Sequence, residues 1–169
     1  MNKDKRIRFE AGKKEHVDTV LAIMRGLEDA DPGPAPFDEE RRKRNWELFV
    51  GDSSRGKAWI ICEGERPIGY AVLTLGFSFE YGGRDAFLDE LYVDEKYRGR
   101  GIGRQTMEFV EEQAREMGVN AVHLEATRGN EPALELYRRA GYFAHDRFLM
   151  TKRLTESAAR PEAKAQGKD

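Results

Sequence analysis

The chain has 169 residues, of which 39% are hydrophobic and 36% are charged, and its formal net charge is −2. That length suits one domain with a buried core and leaves no room for a second full domain. The weakly acidic balance argues against general nucleic-acid binding, which usually goes with a basic excess, and the longest apolar stretch is far shorter than the roughly 18 residues of a membrane span.

Hydrophobic periodicity and turn residues predict the elements in the first half of the chain. In order, they are a strand at residues 7–11, helices at 14–27 and 38–50, and strands at 58–63, 67–80 and 86–93. Asp38 is expected to cap the second helix. The Arg-Arg-Lys-Arg run at 41–44 is interpreted as a solvated face of that helix.

The second half of the chain predicts a strand–helix–strand unit and one further helix and strand. The patterns place a helix at 102–117, a strand at 121–126, a short helix at 130–140 and a last strand at 147–154. The strands on either side of the long helix are expected to be parallel, with a right-handed crossover, and Gly118 is expected to end that helix. Residues 155–169 are rich in charged and small side chains and are expected to be disordered, so the domain is expected to span 6–154.

A basic, glycine-rich turn before the long helix is the most informative segment. It contains three arginines and three glycines: Arg98, Gly99, Arg100, Gly101, Gly103 and Arg104. Glycine lets the backbone approach a ligand closely, and a helix start presents unpaired N–H groups and a positive dipole end. The turn therefore predicts a diphosphate site.

Two common diphosphate motifs do not fit this turn. Gly99-x-Gly101 begins the dinucleotide-binding fingerprint, but the third glycine of that fingerprint would fall on Arg104. A P-loop is excluded because no Gly-Lys-Ser or Gly-Lys-Thr follows.

Two sequence elements together resemble the GNAT superfamily of acyl-CoA N-acyltransferases. Arg98-x-x-Gly101-x-Gly103, after a strand and opening a helix, is similar to motif A of that family. A second family element matches downstream, where the chain reads Asn130-x-x-Ala133-x-x-Leu136-Tyr137-x-x-x-Gly141-Tyr142. The order of elements also agrees, so the resemblance covers about residues 6–154.

The resemblance implies the fold and the co-substrate. The expected fold is α+β in α/β/α layers: a single domain with a mixed, twisted sheet of about six or seven strands and about four helices. The fourth and fifth strands are expected to splay apart and admit the pantetheine arm of acetyl-CoA. The residues implied to bind it are Leu91, Tyr92, Val93, Arg98, Gly99, Arg100, Gly101, Ile102, Gly103, Arg104, Asn130, Ala133 and Tyr137.

Acetyl transfer from a thioester to an amine requires a base for the amine and benefits from an acid for the departing thiolate. A primary amine has a reference pKa of about 10.4, so it must lose a proton before it attacks a thioester. Asp89 and Glu90 are the candidate bases, directly or through water; being adjacent on a strand, they point to opposite faces unless a bulge intervenes. Related enzymes usually carry Glu then Asp, and the inverted order here leaves the base unassigned. Tyr137 matches the family tyrosine near the CoA sulfur and is the candidate acid.

An acidic rim suggests the acceptor. Carboxylates flank the loop between the first two helices and the later hairpin, and the candidate substrate-binding residues are Asp31, Glu80 and Asp85. Such a rim would attract a cation such as a polyamine, an aminoglycoside or a lysine side chain. General surface acidity is the competing interpretation.

Three functions stay open, led by N-acetylation of a small amine. The others are acetylation of protein lysines or N-termini, and a non-catalytic acyl-CoA-binding module. No metal is expected because His16, His123 and His145 lack ligand spacing. The polar start and the lone Cys62 predict a cytoplasmic protein with no signal peptide, no membrane partner and no nucleic-acid partner. The oligomeric state is not readable, and a homodimer stays open.

Overall fold

The computed structural model describes residues 6–30, 36–152 and 154. Five strands form one sheet in chain order: β1 (Ile7–Ala11), β2 (Gly56–Glu63), β3 (Arg66–Ser78), β4 (Gly83–Val93) and β5 (Ala121–Leu124). Neighbours from β1 to β4 are antiparallel, and β5 is parallel to β4, as the predicted crossover requires. Four α-helices accompany them: α1 (Val17–Ala30), α2 (Glu39–Val50), α3 (Ile102–Glu116) and α4 (Glu131–Arg139).

The helices cover both faces of the sheet, because successive strand side chains point to opposite sides. Ile60 and Cys62 of β2 pack with α1 and α2, together with Trp46. Trp59 directly precedes Ile60, so its side chain points to the other face, where it packs with Met107 of α3. These two cores confirm the expected α+β class and the α/β/α layers.

The helix ends follow the predicted capping residues. The Asp38 side chain accepts a hydrogen bond from the Arg41 N–H at 2.9 Å, and α2 begins at the next residue. Gly118 has φ of 71°, a left-handed conformation, just after α3 ends. The first helix begins later than predicted, since Lys14–His16 forms a 3-10 turn before α1.

The expected sixth strand is not formed, and the prediction at 147–154 is wrong for the residues described there. Residues 147–152 and 154 carry no strand. Phe148, Leu149 and Met150 are 76%, 71% and 88% exposed. Three consecutive apolar residues lack the alternation that would bury one face of a strand. The predicted tail at 155–169 lies outside the described residues, and within those residues no helix is both long and apolar enough to cross a membrane.

Candidate active site

A β-bulge in β4 lies at the two candidate carboxylates. Glu90 pairs with Val72 of β3 and Leu88 pairs with Leu73, so Asp89 between them has no partner across the ladder. The bulge reverses the facing of later side chains: Leu88 packs under α3, whereas Tyr92 packs under α1. Regular alternation would have placed Glu90 on the α3 face with Leu88. The bulge turns it towards α1 and α2 instead.

The same point is where the parallel pair β4 and β5 separates. Pairing between them ends at Leu88 and Leu124, while β4 continues to Val93. Among the described residues, no strand pairs with this edge of β4 beyond Leu88. The expected splay is therefore present, and it opens directly beside Asp89 and Glu90.

Glu90 is held at both of its carboxylate oxygens. Arg42 of α2 donates from Nη1 to Glu90 Oε1 at 2.6 Å, and the Tyr70 hydroxyl donates to Oε2 at 2.8 Å. Arg42 Nη2 also lies 3.8 Å from Glu28 of α1. Burial, then the charge of Glu90, raises the pKa of Tyr70 well above its ordinary value, so this phenol stays protonated and remains a donor.

The carboxylate of Asp89 differs from that of Glu90, because it accepts no hydrogen bond from the described residues. Its pKa is raised, first by loss of hydration around the carboxyl and then by the negative charge of Glu90. Glu125, just after β5, acts in the same direction, and Arg42 opposes the shift. The bulge thus presents one carboxylate that is paired, Glu90, and one that accepts no hydrogen bond from the described residues, Asp89.

The glycine-rich turn has the backbone form expected of an anion site. Gly99 and Gly101 have φ of 73° and 76°, with open space where a side chain would stand, and Gly101 is the residue before α3. The N–H groups of residues 99–101 make no hydrogen bond to the described part of the chain, whereas the Arg98 N–H donates to the Glu95 carbonyl. Gly103 has another function: a Cβ there would lie 3.1 Å from Leu136 Cδ2, so glycine lets α3 pack against α4.

The three arginines of the turn already have partners within the protein. Arg98 donates from Nε to the Val93 carbonyl at 2.9 Å, and its guanidinium lies over the Tyr92 ring. Arg100 pairs with Glu63, and Arg104 pairs with Glu108 at 2.8 Å. Anion binding at the turn would therefore depend first on the backbone N–H groups.

The α4 residues pack with α3, on the face of the sheet opposite to α1 and α2. Tyr137 packs against the core shared with α3, and burial raises the pKa of its hydroxyl, which favours the protonated donor form. The Asn130 side chain accepts a hydrogen bond from the Ala133 N–H at 3.2 Å and so caps α4. Because the cap uses Asn130 Oδ1, a contact with a ligand would have to use the other atoms of this amide.

The strand residues implied to bind the cofactor have buried or partly buried side chains. Tyr92 packs in the core under α1, where a Cβ on Gly26 would lie 2.6 Å from its hydroxyl oxygen. Leu91 and Val93 pack on the opposite face. Only the backbone of this segment faces the opening between β4 and β5.

The acidic rim residues that the structure describes, Glu80 and Asp85, have partners other than Asp89. Asp31 lies outside the described residues. Glu80 forms two hydrogen bonds with Arg147, each 3.0 Å, and this pairing lowers its pKa. Asp85 lies 3.5 Å from His123 and, four residues before Asp89, about 13 Å away along the strand. Within the described chain, no group of three or more His, Cys, Asp or Glu residues is arranged to hold a metal ion.

Sequence reasoning missed Arg42 and Tyr70. The basic run at 41–44 was interpreted as solvated, but Arg42 is only 29% exposed and contacts Glu90. Helical spacing carried the missing information, since Arg42 lies one turn before Trp46, which is 3% exposed and faces the sheet. The alternation of β3 predicts that Tyr70 is buried in a core, but it does not identify Glu90 as the partner of its hydroxyl.

Comparison with known proteins agrees with this geometry. The model of the acetyltransferase (GNAT) family matches residues 20–142. A thialysine N-epsilon-acetyltransferase of Bos taurus is 32% identical over 79 residues, 47% of this chain and 46% of that protein, so the chain spans about half the length of such curated relatives. An integron cassette protein from the Cole Harbour Salt Marsh metagenome superposes with a TM-score of 0.75 at 28% identity, covering 87% of this chain and 90% of that one. An aminoglycoside N-acetyltransferase in complex with CoA shares the fold, with a TM-score of 0.73 at 14% identity over 89% of this chain and 97% of that one. The chain belongs to the GNAT acetyltransferase family.

Proposed function

We propose that this protein is an N-acetyltransferase that moves an acetyl group from acetyl-CoA to a primary amine of a small, cationic acceptor. Attack is direct, in a ternary complex. The observation that carries the proposal is the free carboxylate of Asp89, on a bulge where β4 and β5 separate. Membership of the acetyltransferase family supports the reaction class.

The residues present fit acetyl-CoA. The N–H groups of residues 99–101 are unpaired within the described chain, and the α3 start adds a positive dipole end. They would take the diphosphate. The unpaired edge of β4 beyond Leu88 would hydrogen-bond the pantetheine arm, with Leu91 and Val93 contributing backbone groups.

Proton movements follow from the residue types at the opening. An amine with a reference pKa of about 10.4 reaches the site protonated. Asp89 accepts that proton, directly or through water, and the nitrogen then forms a bond to the acetyl carbonyl carbon as the carbon–sulfur bond breaks. Tyr137 donates its hydroxyl proton to the departing thiolate. The nitrogen loses a second proton as the amide forms, and an equivalent proton from solvent restores the Tyr137 phenol. The proton taken by Asp89 also leaves to solvent.

A cationic acceptor fits the charge around the opening. Asp89, Glu90 and Glu125 act on one another there, and Arg42 is the cation that opposes them. A net negative site attracts amines and steers them towards the base. The names of the relatives point the same way, since thialysine and aminoglycosides carry amines. Glu80 and Asp85 remain candidates for binding a distant part of a long acceptor.

The test measures release of free thiol from acetyl-CoA with thialysine, spermidine, an aminoglycoside and a lysine-containing peptide. We expect turnover with at least one small amine and little with the peptide. Asp89→Asn should lower kcat/KM on that amine by roughly 10² to 10³-fold. Turnover with the peptide alone would indicate a protein acetyltransferase instead. Tight CoA binding without turnover on any acceptor would indicate a non-catalytic acyl-CoA-binding module.

A further inference from the structure

The pairing of Arg42 with Glu90 gives α2 a contact with the candidate catalytic strand. Arg42 belongs to α2, whose contacts with the sheet run mainly to β2, yet its Nη1 lies 2.6 Å from Glu90 Oε1 on β4. We propose that Arg42 is a positioning residue: it fixes Glu90 as a paired anion, so that Asp89 alone is left as the free proton acceptor. This inference rests on the proposed acetyltransferase function.

Geometry distinguishes the two adjacent carboxylates. Both oxygens of Glu90 accept short hydrogen bonds, one from Arg42 and one from the buried Tyr70. Each oxygen of this carboxylate already accepts a hydrogen bond, one of them charge-assisted, so taking a proton from an acceptor amine would compete with one of those bonds. Asp89 has no such partner among the described residues and stands on the bulge beside the opening.

Arg42 also joins three elements. From α2 it reaches Glu90 on β4 and lies 3.8 Å from Glu28 on α1, and its guanidinium lies over the Phe37 ring at 5.8 Å. Phe37 belongs to the segment between the two helices, immediately before the Asp38 cap of α2. A cation held at three contacts in a partly buried site has a defined position, and it therefore sets the position of Glu90.

The charges that face Asp89 come from several elements. Glu90 on β4 and Glu125 after β5 favour its protonated form, and Arg42 on α2 favours the ionised form. Tyr70 on β3 stays protonated, and Glu28 on α1 acts through Arg42. Among the groups that act on Asp89, Arg42 is thus the cation that opposes the raised pKa and favours the ionised form.

The first test needs no acceptor. Carboxyl-carbon NMR of the free protein follows the titration of Asp89 in the wild type, Arg42→Gln, Glu90→Gln and Arg44→Gln. Removing the cation should move the Asp89 titration to higher pH by about 1 unit or more, and removing the neighbouring anion should move it to lower pH. Arg44 is an exposed arginine of the same helix, so Arg44→Gln removes the same charge without the contact and should leave the titration unchanged.

The second test is kinetic, on the amine that gives turnover in the thiol-release assay. The acid limb of kcat/KM should move with the NMR titration, to higher pH in Arg42→Gln and to lower pH in Glu90→Gln, with the acetyl-CoA KM within twofold of wild type. Arg42→Lys, which keeps the charge, should restore most of the wild-type position. Arg42→Lys also replaces Arg42→Gln in this test if Arg42→Gln does not fold.

Three results separate the possibilities. An unchanged Asp89 titration in folded Arg42→Gln overturns the inference, because Arg42 would then be only structural. A shifted titration with an unshifted acid limb also overturns it, since Asp89 would not be the base. A shifted titration in a protein with no turnover on any amine supports the charge placement but contradicts the proposed function.

Discussion

Two neighbouring tyrosines of the α4 region differ in what their hydroxyl groups can do. The rings of Tyr137 and Tyr142 lie 6.2 Å apart, and burial raises the pKa of both hydroxyls. The Tyr142 hydroxyl is enclosed and has no hydrogen-bond partner in the described chain, and a cavity of about 250 Å³ beside it is lined by α3 and β5 residues. Tyr137 is the one that matches the tyrosine of the family motif, and it is the proposed acid.

Replacing Tyr137 by phenylalanine removes a proton donor and keeps the ring. If the phenol protonates the leaving thiolate, kcat should fall by roughly 10²-fold while the acetyl-CoA KM changes little. Steady-state kinetics on the accepted amine measures both values.

Tyr142→Phe is the matched control for that variant. It removes a buried hydroxyl from a neighbouring ring that the mechanism does not use, so kcat should stay at the wild-type value. Removing an unsatisfied buried group should also leave stability unchanged or raised. Wild-type turnover in Tyr137→Phe would assign the acid function to water.

Helix α3 carries a left-handed glycine beside each end. Gly101 before the helix and Gly118 after it have φ of 76° and 71°, and neither has an atom within 4 Å of the position that a Cβ would take. Their backbone strain on substitution should therefore be similar, about 1–2 kcal/mol for a side chain in this conformation. Only Gly101 adjoins the proposed diphosphate site.

Gly101→Val and Gly118→Val separate strain from ligand contact. Both variants should lose a similar amount of stability in urea unfolding. Only Gly101→Val should weaken CoA binding, by more than tenfold, because a branched side chain would shield the unpaired N–H groups, and tenfold corresponds to about 1.4 kcal/mol. Calorimetric titration with CoA measures the affinity. Equal loss of affinity in both variants would mean that the glycines act only through helix stability.

Elements with local determinants were predicted well, and those set by tertiary contacts were not. Asp38, Asn130 and Gly118 mark helix ends because capping depends on residues three or four apart. The bulge at Asp89 depends on the register of β4 against β3, which no local pattern contains. For the same reason the sequence left the base open, and it placed Arg42 on a solvated face although its partner lies 48 residues away.

At the scale of the whole molecule, the residues of the proposed site come from different layers. The α1–α2 side supplies Arg42, the sheet supplies Asp89 and Glu90, and the α3–α4 side supplies the glycine-rich turn and Tyr137. A carboxylate that is ionised and partly desolvated among like charges opposes folding. The raised pKa of Asp89 indicates that this site costs the fold some stability at neutral pH.

The cost has a pH dependence that a second aspartate lets us test. A folded pKa above the unfolded value, about 3.9, means that the contribution of Asp89 to stability is present in acid and lost as pH rises through the folded pKa. The pKa of Asp52 is shifted in the opposite direction, because hydrogen bonds from Ser54 lower it. The contribution of Asp52 to the stability of the fold is therefore present above about pH 3.9 and is lost as the pH falls.

Asp89→Asn and Asp52→Asn should therefore change stability in opposite directions at pH 7. The urea midpoint of Asp89→Asn should exceed that of the wild type at pH 7 and approach it near pH 3, because asparagine resembles the protonated acid. The midpoint of Asp52→Asn should fall below the wild type at pH 7 and converge with it in acid. A stabilised Asp89→Asn variant that has also lost turnover would show that the carboxylate is kept for catalysis at the expense of stability. If Asp89→Asn is instead less stable at pH 7, the Asp89 carboxylate has a stabilising partner in the folded protein, and its assignment as the free base is wrong.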